Sequence, residues 1–163
     1  MRKRSSYKPK GIRLDAHLYA LTSVRPLTKV SEATVLKIKN HDALDAIVKG
    51  IATRDHVDAL IAAMNIAEAY ALHGKGQDWI PEIRAAQDAV LSMARRGLDK
   101  GRFVFSGPEL MAVNEAMAVH DQQLDESFVK EIEKMANYVA TCIKNGKARL
   151  IDQNIKEVQG QSS

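Results

Sequence analysis

The chain has 163 residues, a formal net charge of +4 and a single cysteine, Cys142. One cysteine excludes an internal disulfide and a multi-cysteine zinc site, and it agrees with a reducing cytoplasm. A chain of this length buries about 68–70% of its unfolded surface, so a single domain can hold a real core. No apolar run reaches the roughly 18 residues that a spanning helix needs, which predicts a protein outside the membrane.

The first thirteen residues carry most of the charge imbalance. They hold six basic residues and no acid, so their +6 exceeds the net charge of +4 and leaves −2 for the rest of the chain. Few apolar side chains precede Ile12, and Pro9 and Gly11 discourage a helix. We predict a flexible basic N-terminal arm over residues 1–13. Its candidate partner or phosphate contacts are Arg2, Lys3, Arg4, Tyr7, Lys8, Lys10 and Arg13.

Beyond the arm, glycine and proline divide the sequence as they do in a helical bundle. The first helix is predicted over residues 30–48, with Ser31 as its N-cap. Thr53 caps a second helix, whose apolar residues recur at helical spacing until Gly74 ends it. That apolar stripe consists of Val57, Leu60, Ile61, Met64, Ala67 and Ala71.

The third helix is predicted to open at Asp78, with Pro81 in its first turn, and to end at Gly97. Residues 102–106 follow as the one β-like run of the sequence. A lone strand cannot form a sheet, so this run pairs with a short extended piece such as residues 12–14, pairs across a dimer, or is an apolar crossing loop. We favour the loop. The same region contains a second basic cluster of candidate partner or phosphate contacts, which consists of Arg95, Arg96, Lys100 and Arg102.

Two further helices complete the prediction. The fourth opens at residues 107–109, and the fifth spans residues 125–145 with Phe128 and Cys142 on its inner side, so Cys142 is read as core. The sequence therefore predicts an all-α fold, a single bundle-like domain of about five helices over residues 14–150, with a C-terminal tail over residues 151–163. A broad apolar surface on the second helix favours a homodimer. That surface consists of Ala63, Ile66, Ala69 and Tyr70.

Histidine precedes aspartate twice, at His41-Asp42 and at His120-Asp121. An all-helical chain with such a pair resembles metal-dependent phosphohydrolases, which hold their metal with a His, a His-Asp pair and a later Asp. Neighbouring residues on a helix point about 100° apart, so neither pair offers two ligands to one ion. We expect His120 to be a hydrogen-bonded core or partner-facing histidine, and we expect no metal and no cofactor.

Two other motifs have structural explanations. The stretch HGKGQ at residues 73–77 lacks the strand and the terminal Ser or Thr of a phosphate loop, so its glycines are read as a helix stop and a turn. Residues 44–54 have the spacing of a helix-turn-helix, but the second helix would present Asp55 and Asp58 to a polyanion. The sequence has no serine in a strand–turn–helix pattern, which is the arrangement that presents a nucleophilic serine in hydrolases. These observations predict a protein that is not an enzyme.

Three stretches resemble small uncharacterised proteins encoded by phages and prophages of Gram-negative bacteria. They are MRKRSSYKPKGIRLD at the start, KIKNHDAL at residues 37–44, and the segment from GPEL to HDQQL at residues 107–124. This resemblance carries no catalytic motif, and it implies a context in which small proteins inhibit host machinery, including nucleic-acid-guided defence complexes, or act in phage DNA metabolism.

We therefore expect a protein of the bacterial host cytoplasm that binds a host protein or nucleoprotein complex without catalysing a reaction. The alternative is a nucleic-acid-binding protein of phage DNA metabolism or regulation that uses the basic arm. A helical metal-dependent phosphohydrolase built on His41, Asp42, His120 and Asp121 is the less favoured third reading.

Overall fold

The computed structural model describes residues 26–146, with side chains from residue 32 onward. The predicted arm at residues 1–13 and the predicted tail at residues 151–163 lie outside the described residues. Five α-helices and no strand occur in residues 26–146, which confirms the all-α prediction. The helices are α1 (Pro26–Val48), α2 (Arg54–Leu72), α3 (Ile80–Lys100), α4 (Gly107–Asp125) and α5 (Val129–Lys144), with a 3₁₀ turn at Gln77–Trp79 before α3.

Helix α2 is the centre of the bundle, since it contacts each of the other four α-helices. The main core lies between α1, α2, α3 and α4, and its fully buried side chains include Leu60, Met64, Met93 and Met117. A smaller cluster holds α5 against α1, α2 and α4. Its buried members are Ala33, Ala69, Tyr70, Leu124 and Met135.

These two cores explain the broad apolar surface of α2. Ala63, Ala69 and Tyr70 are each 2% exposed, and Ile66 is half-buried against the smaller cluster. A helix that is apolar on several faces is buried on several faces. The surface that suggested a homodimer is therefore covered within one chain, and the homodimer stays a prediction without that argument.

The start of the first helix and the end of the third differ from the prediction. Helix α1 begins at Pro26, so Ser31 lies inside it and does not cap it. Proline has no N–H to leave unbonded and is favoured in the first turn. Helix α3 runs through Gly97 to Lys100, so Gly97 does not end it. A Cβ at Gly97 would clash with the ring of Phe103, so this glycine permits close packing instead.

The fifth helix is shorter and more exposed than predicted. It begins at Val129, after a turn that separates it from α4. Phe128 is 41% exposed, and Cys142 is half-buried, so neither is the core residue that was predicted. Met135 is the one buried residue described in α5. Helix α5 therefore lies at the edge of the bundle, where one stripe packs and the rest meets solvent.

The segment at residues 102–106 is a crossing loop that forms no strand pairing among residues 26–146, as the favoured prediction had it. It carries the chain from the end of α3 to the start of α4, and Phe103 and Phe105 pack against the main core. No helix within residues 26–146 is long and apolar enough to cross a bilayer.

Candidate functional site

The second basic cluster divides into exposed and engaged side chains. Arg95, Lys100 and Arg102 are exposed near the end of α3. Arg96 instead forms a two-pronged ion pair, in which Nη1 and Nη2 each donate to a carboxylate oxygen of Glu109 at 2.6 Å. Its Nη2 also donates to a loop carbonyl at 3.2 Å. Arg96 thus joins α3 to the loop and to the start of α4.

Glu109 has a second partner at the start of its own helix. Its Oε2 accepts the backbone N–H of Ser106 at 2.8 Å, which is the reciprocal half of a capping box. Hydrogen bonding from Arg96 lowers the pKa of Glu109 from 4.5 to about 2. The carboxylate is therefore ionised, and Arg96 is engaged in holding the fold.

Arg102 lies over the turn between α1 and α2. Its guanidinium packs so closely on Gly50 that a Cβ there would clash with it. Gly50 follows the C-terminal end of α1, whereas the predicted arm precedes the N-terminal end of α1 in the sequence. Helix α1 has 23 residues and is therefore about 34 Å long. Arg102 and the first described residue of the chain therefore lie at opposite ends of α1.

The packing of α1 against α4 brings the two His-Asp pairs together. His41 Nε2 lies 2.7 Å from Asp121 Oδ2, which joins the two helices at their surface. Asp42 is exposed, whereas His120 is completely buried. Among residues 26–146, no group of three or more His, Cys, Asp or Glu side chains is arranged to hold a metal ion.

His120 is positioned by hydrogen bonds that begin at the end of α2. Gln123 Nε2 donates to the carbonyls of Ala67 at 3.1 Å and Lys75 at 2.8 Å. The amide oxygen of Gln123 therefore faces His120 Nδ1, at 3.4 Å. An amide oxygen only accepts, so Nδ1 carries the ring proton and Nε2 carries a lone pair. Burial lowers the pKa of His120 from 6.5 to about 4, so the ring is neutral at pH 7.

Apolar grooves run along both sides of α5. The groove between α5 and α2 has a volume of about 380 Å³, with Ile61, Ile66 and Val139 among its walls. The groove between α5 and α1 has a volume of about 350 Å³, and its walls include Val35 and Ile132. A cavity of about 60 Å³ between α1 and α2 shares wall residues with each groove.

Lys75 is a structural residue that sequence reasoning missed. Its Nζ donates to the carbonyl of Glu126 at 3.0 Å, to Ser127 Oγ at 2.9 Å and to Glu131 Oε2 at 3.0 Å. An ammonium group has three donors, so all of them are engaged and none is left for a phosphate. The partners lie more than fifty residues further along the chain. No local pattern could have identified them.

The turn between α1 and α2 does not support a DNA-reading motif. The backbone N–H of Thr53 donates to His56 Nδ1 at 3.0 Å, while Arg54, Asp55 and Asp58 are exposed. A recognition helix must be free to enter the major groove. Helix α2 is instead packed on four other helices, and its first turn presents carboxylates.

Comparison of the chain with protein-family models, with curated proteins and with solved structures yields no match.

Proposed function

We propose that this protein is a non-enzymatic binding protein, a phage-encoded effector or inhibitor that contacts a host protein or nucleoprotein complex. The observation that carries the proposal is the division of charge between residues 1–13, which sum to +6, and the rest of the chain, which sums to −2 within a net charge of +4. Such an imbalance attracts an anionic partner and raises the rate of encounter.

The helical body neutralises several of its own basic side chains. Within the described residues, five lysine or arginine side chains lie 3.0 Å or less from a carboxylate. The pairs are Lys37–Asp125, Lys49–Asp45, Lys75–Glu131, Arg84–Glu68 and Arg96–Glu109. Residues 1–13 contain six basic residues and no acid, and the first acid of the chain is Asp15. In this proposal the arm supplies electrostatic attraction and the helical body supplies a specific shape.

The test uses three proteins. They are the full chain, a chain that starts at Leu14, and a full-length variant in which the six basic residues of the arm are replaced by glutamine. Each is used to capture proteins from host lysate, with and without nuclease, at several salt concentrations. We expect the full chain to retain a host protein after nuclease, and both altered proteins to lose it as salt rises. The glutamine variant keeps the chain length, so it isolates the effect of charge.

Equal capture by all three proteins would refute the role of the arm and reduce it to a solubilising tail. Capture that nuclease abolishes would instead favour the alternative, a nucleic-acid-binding protein of phage DNA metabolism. For that alternative, log affinity should fall with log salt with a slope of roughly −0.7 to −0.9 per phosphate contacted.

One observation favours the nucleic-acid alternative specifically. Arg95, Lys100 and Arg102 are all exposed and lie near the end of α3. Exposed basic side chains that lie together can contact neighbouring phosphates of a nucleic acid. Substituting Arg95, Lys100 and Arg102 by glutamine should then weaken duplex binding and lower the salt slope, whereas capture of a protein partner through the arm should not change.

A further inference from the structure

The groove between α1 and α5 combines exposed apolar surface with two opposite charges. Val35 of α1 is 66% exposed on its wall, beside Leu36 of α1 and Ile132 of α5, which are both half-buried. Glu32 and Lys39 complete the described walls, and both are exposed. Water therefore contacts an apolar strip of α1 that has an acid on one side along the helix and a base on the other.

The four residues of α1 that line this groove form one stripe of the helix. Successive residues of an α-helix are rotated by about 100°, so Glu32, Val35, Leu36 and Lys39 fall within an arc of about 100°. Glu32 and Lys39 are seven positions apart, beyond the i, i+4 spacing at which side chains of one helix pair. Neither takes part in an ion pair described in residues 26–146.

The order of residues in the stripe is complementary to itself when it is reversed. Consider two antiparallel α1 helices related by a two-fold axis that passes midway between residues 35 and 36. Glu32 of each copy then lies opposite Lys39 of the partner subunit, and Val35 lies opposite Leu36 of the partner subunit. Two-fold interfaces require this property, because the same patch must fit itself.

We propose that this stripe of α1 is the interface of a homodimer, in which the α1 helices of two copies pack antiparallel. Pairing removes Val35 of both copies from water, and burial of apolar surface drives association. Two ion pairs between Glu32 and Lys39 set the direction, because parallel helices in register would place like charges opposite each other. This surface differs from the covered surface of α2, and the proposal is independent of the proposed function.

The first experiment measures self-association of the full chain by sedimentation equilibrium at low salt. We expect a dimer whose population rises with concentration. Glu32→Lys and Lys39→Glu should each weaken dimerisation by at least about tenfold, because either reversal makes both charge contacts repulsive. Glu115→Lys reverses an exposed acid of α4 and should dimerise like the wild type. A wild-type chain that stays monomeric would overturn the proposal, as would equal dimerisation of all four proteins.

The second experiment mixes the two charge-reversed variants and so identifies the occupant of the groove. A heterodimer of Glu32→Lys with Lys39→Glu has opposite charges at both contacts, so the mixture should dimerise about as strongly as the wild type. If the chain before residue 26 or a different protein occupied the groove instead, mixing would not restore association. A mixture that stays monomeric would therefore refute the interface.

The third experiment tests the position of the two-fold axis by disulfide cross-linking. Cys142→Ser removes the one cysteine of the chain, and Val35→Cys then introduces a cysteine beside the axis. Two cysteines form a disulfide only if their Cα atoms come within about 7 Å. We expect a covalent dimer for Val35→Cys and none for Asn114→Cys, at an exposed position of α4. Absence of the covalent dimer would contradict the interface, and this result is decisive even if a charge-reversed variant fails to fold.

Discussion

At the scale of single residues, His120 couples folding to pH. The ring is completely buried, and burial lowers its pKa from 6.5 to about 4. Above pH 6.5 the ring is neutral in the folded and unfolded states, so no stability is lost. Between pH 6.5 and 4 the unfolded chain binds the proton more readily, and stability falls as pH falls. Below about pH 4 both states are protonated and the loss stops growing.

We predict that this group alone removes about 3 kcal/mol of stability between pH 7 and pH 4, at about 1.36 kcal/mol per unit of pKa difference. Urea unfolding at pH 7, 5.5 and 4 measures the loss. The variant His120→Gln keeps an amide that can hydrogen-bond but does not titrate, so its stability should fall by about 3 kcal/mol less over the same range. Parallel pH dependence in the two proteins would contradict the assignment.

The ion pair between Arg96 and Glu109 gives a second residue-scale prediction. Glu109→Gln removes the charge that Arg96 and the N–H of Ser106 both contact. A hydrogen bond to a charged group contributes about 1.5–3 kcal/mol, and the partial exposure of Arg96 places the expected loss near the lower figure. Thermal unfolding at pH 7 measures it, with Glu115→Gln, an exposed acid on the same helix, as the control. Equal melting temperatures for the two variants would show that the pair adds nothing.

At the scale of helices, a glycine inside α3 sets how closely the loop at residues 102–106 can pack. Alanine at a helix interior position normally stabilises by about 1 kcal/mol relative to glycine. At Gly97 a Cβ would clash with the ring of Phe103, and overpacking of this kind costs about 1–3 kcal/mol. Steric contact therefore outweighs helix propensity here.

We predict that Gly97→Ala destabilises the protein by about 1–3 kcal/mol in urea unfolding. Gly107→Ala is the matched control, because nothing lies within 4 Å of a Cβ at that position. It should be neutral or slightly stabilising. Adding Phe103→Leu to Gly97→Ala should cost less than the sum of the single changes, and a strictly additive result would contradict the clash.

The attachment of helix α5 to the bundle depends more on the hydrogen bonds of Lys75 than on buried apolar contacts. Met135 is the one buried residue described in α5. Lys75 makes three hydrogen bonds, to the turn before α5 and to the first turn of α5. Elements with few buried contacts open locally at low free energy. The attachment of α5 is therefore concentrated at its N-terminal end.

We predict that Lys75→Met increases hydrogen exchange in α5 by at least about tenfold, which corresponds to about 1.4 kcal/mol, and leaves α3 and α4 nearly unchanged. Hydrogen exchange measured by NMR provides the site resolution. Lys134→Met changes an exposed lysine on α5 itself and should have little effect. Uniformly faster exchange in all five helices would mean that Lys75 supports the whole bundle instead.

At the scale of the whole molecule, charge and stability are expected to be separable. Both partners of each of the five ion pairs described in residues 26–146 belong to the helical body. Interactions between exposed charges are screened beyond about 8 Å at physiological salt. Under the proposed function, partner binding depends on the charges of residues 1–13, whereas folding depends on the ion pairs of the helical body.

We predict that replacing the six basic residues of 1–13 by glutamine leaves the melting temperature within about 1 °C of the wild type, because a surface charge change away from a specific contact is worth less than about 0.5 kcal/mol. The same variant should lose partner capture. Differential scanning calorimetry in parallel with the capture experiment measures both. A fall of several degrees would place the arm in the folded structure and not in recognition.

The sequence by itself determined the class of fold and the position of most helices. Apolar residues at steps of three and four, together with Thr53, Gly74 and Pro108 at element boundaries, are local signals, and helix formation is a local event. It also determined the charge imbalance of residues 1–13, which is a matter of counting. The prediction that the third helix ends at Gly97 was wrong. Helix propensity alone cannot reveal that the ring of Phe103, six residues further along, packs against this glycine.

Only the tertiary structure decided which polar groups meet. The contact between His41 and Asp121, the three bonds of Lys75 and the cavity shared by Asn40 and His120 join residues about fifty to eighty positions apart. The tautomer of His120 follows from carbonyls at the end of another helix. Such contacts depend on how the helices pack, because hydrogen bonds act over about 3 Å whereas the sequence records only neighbours along the chain.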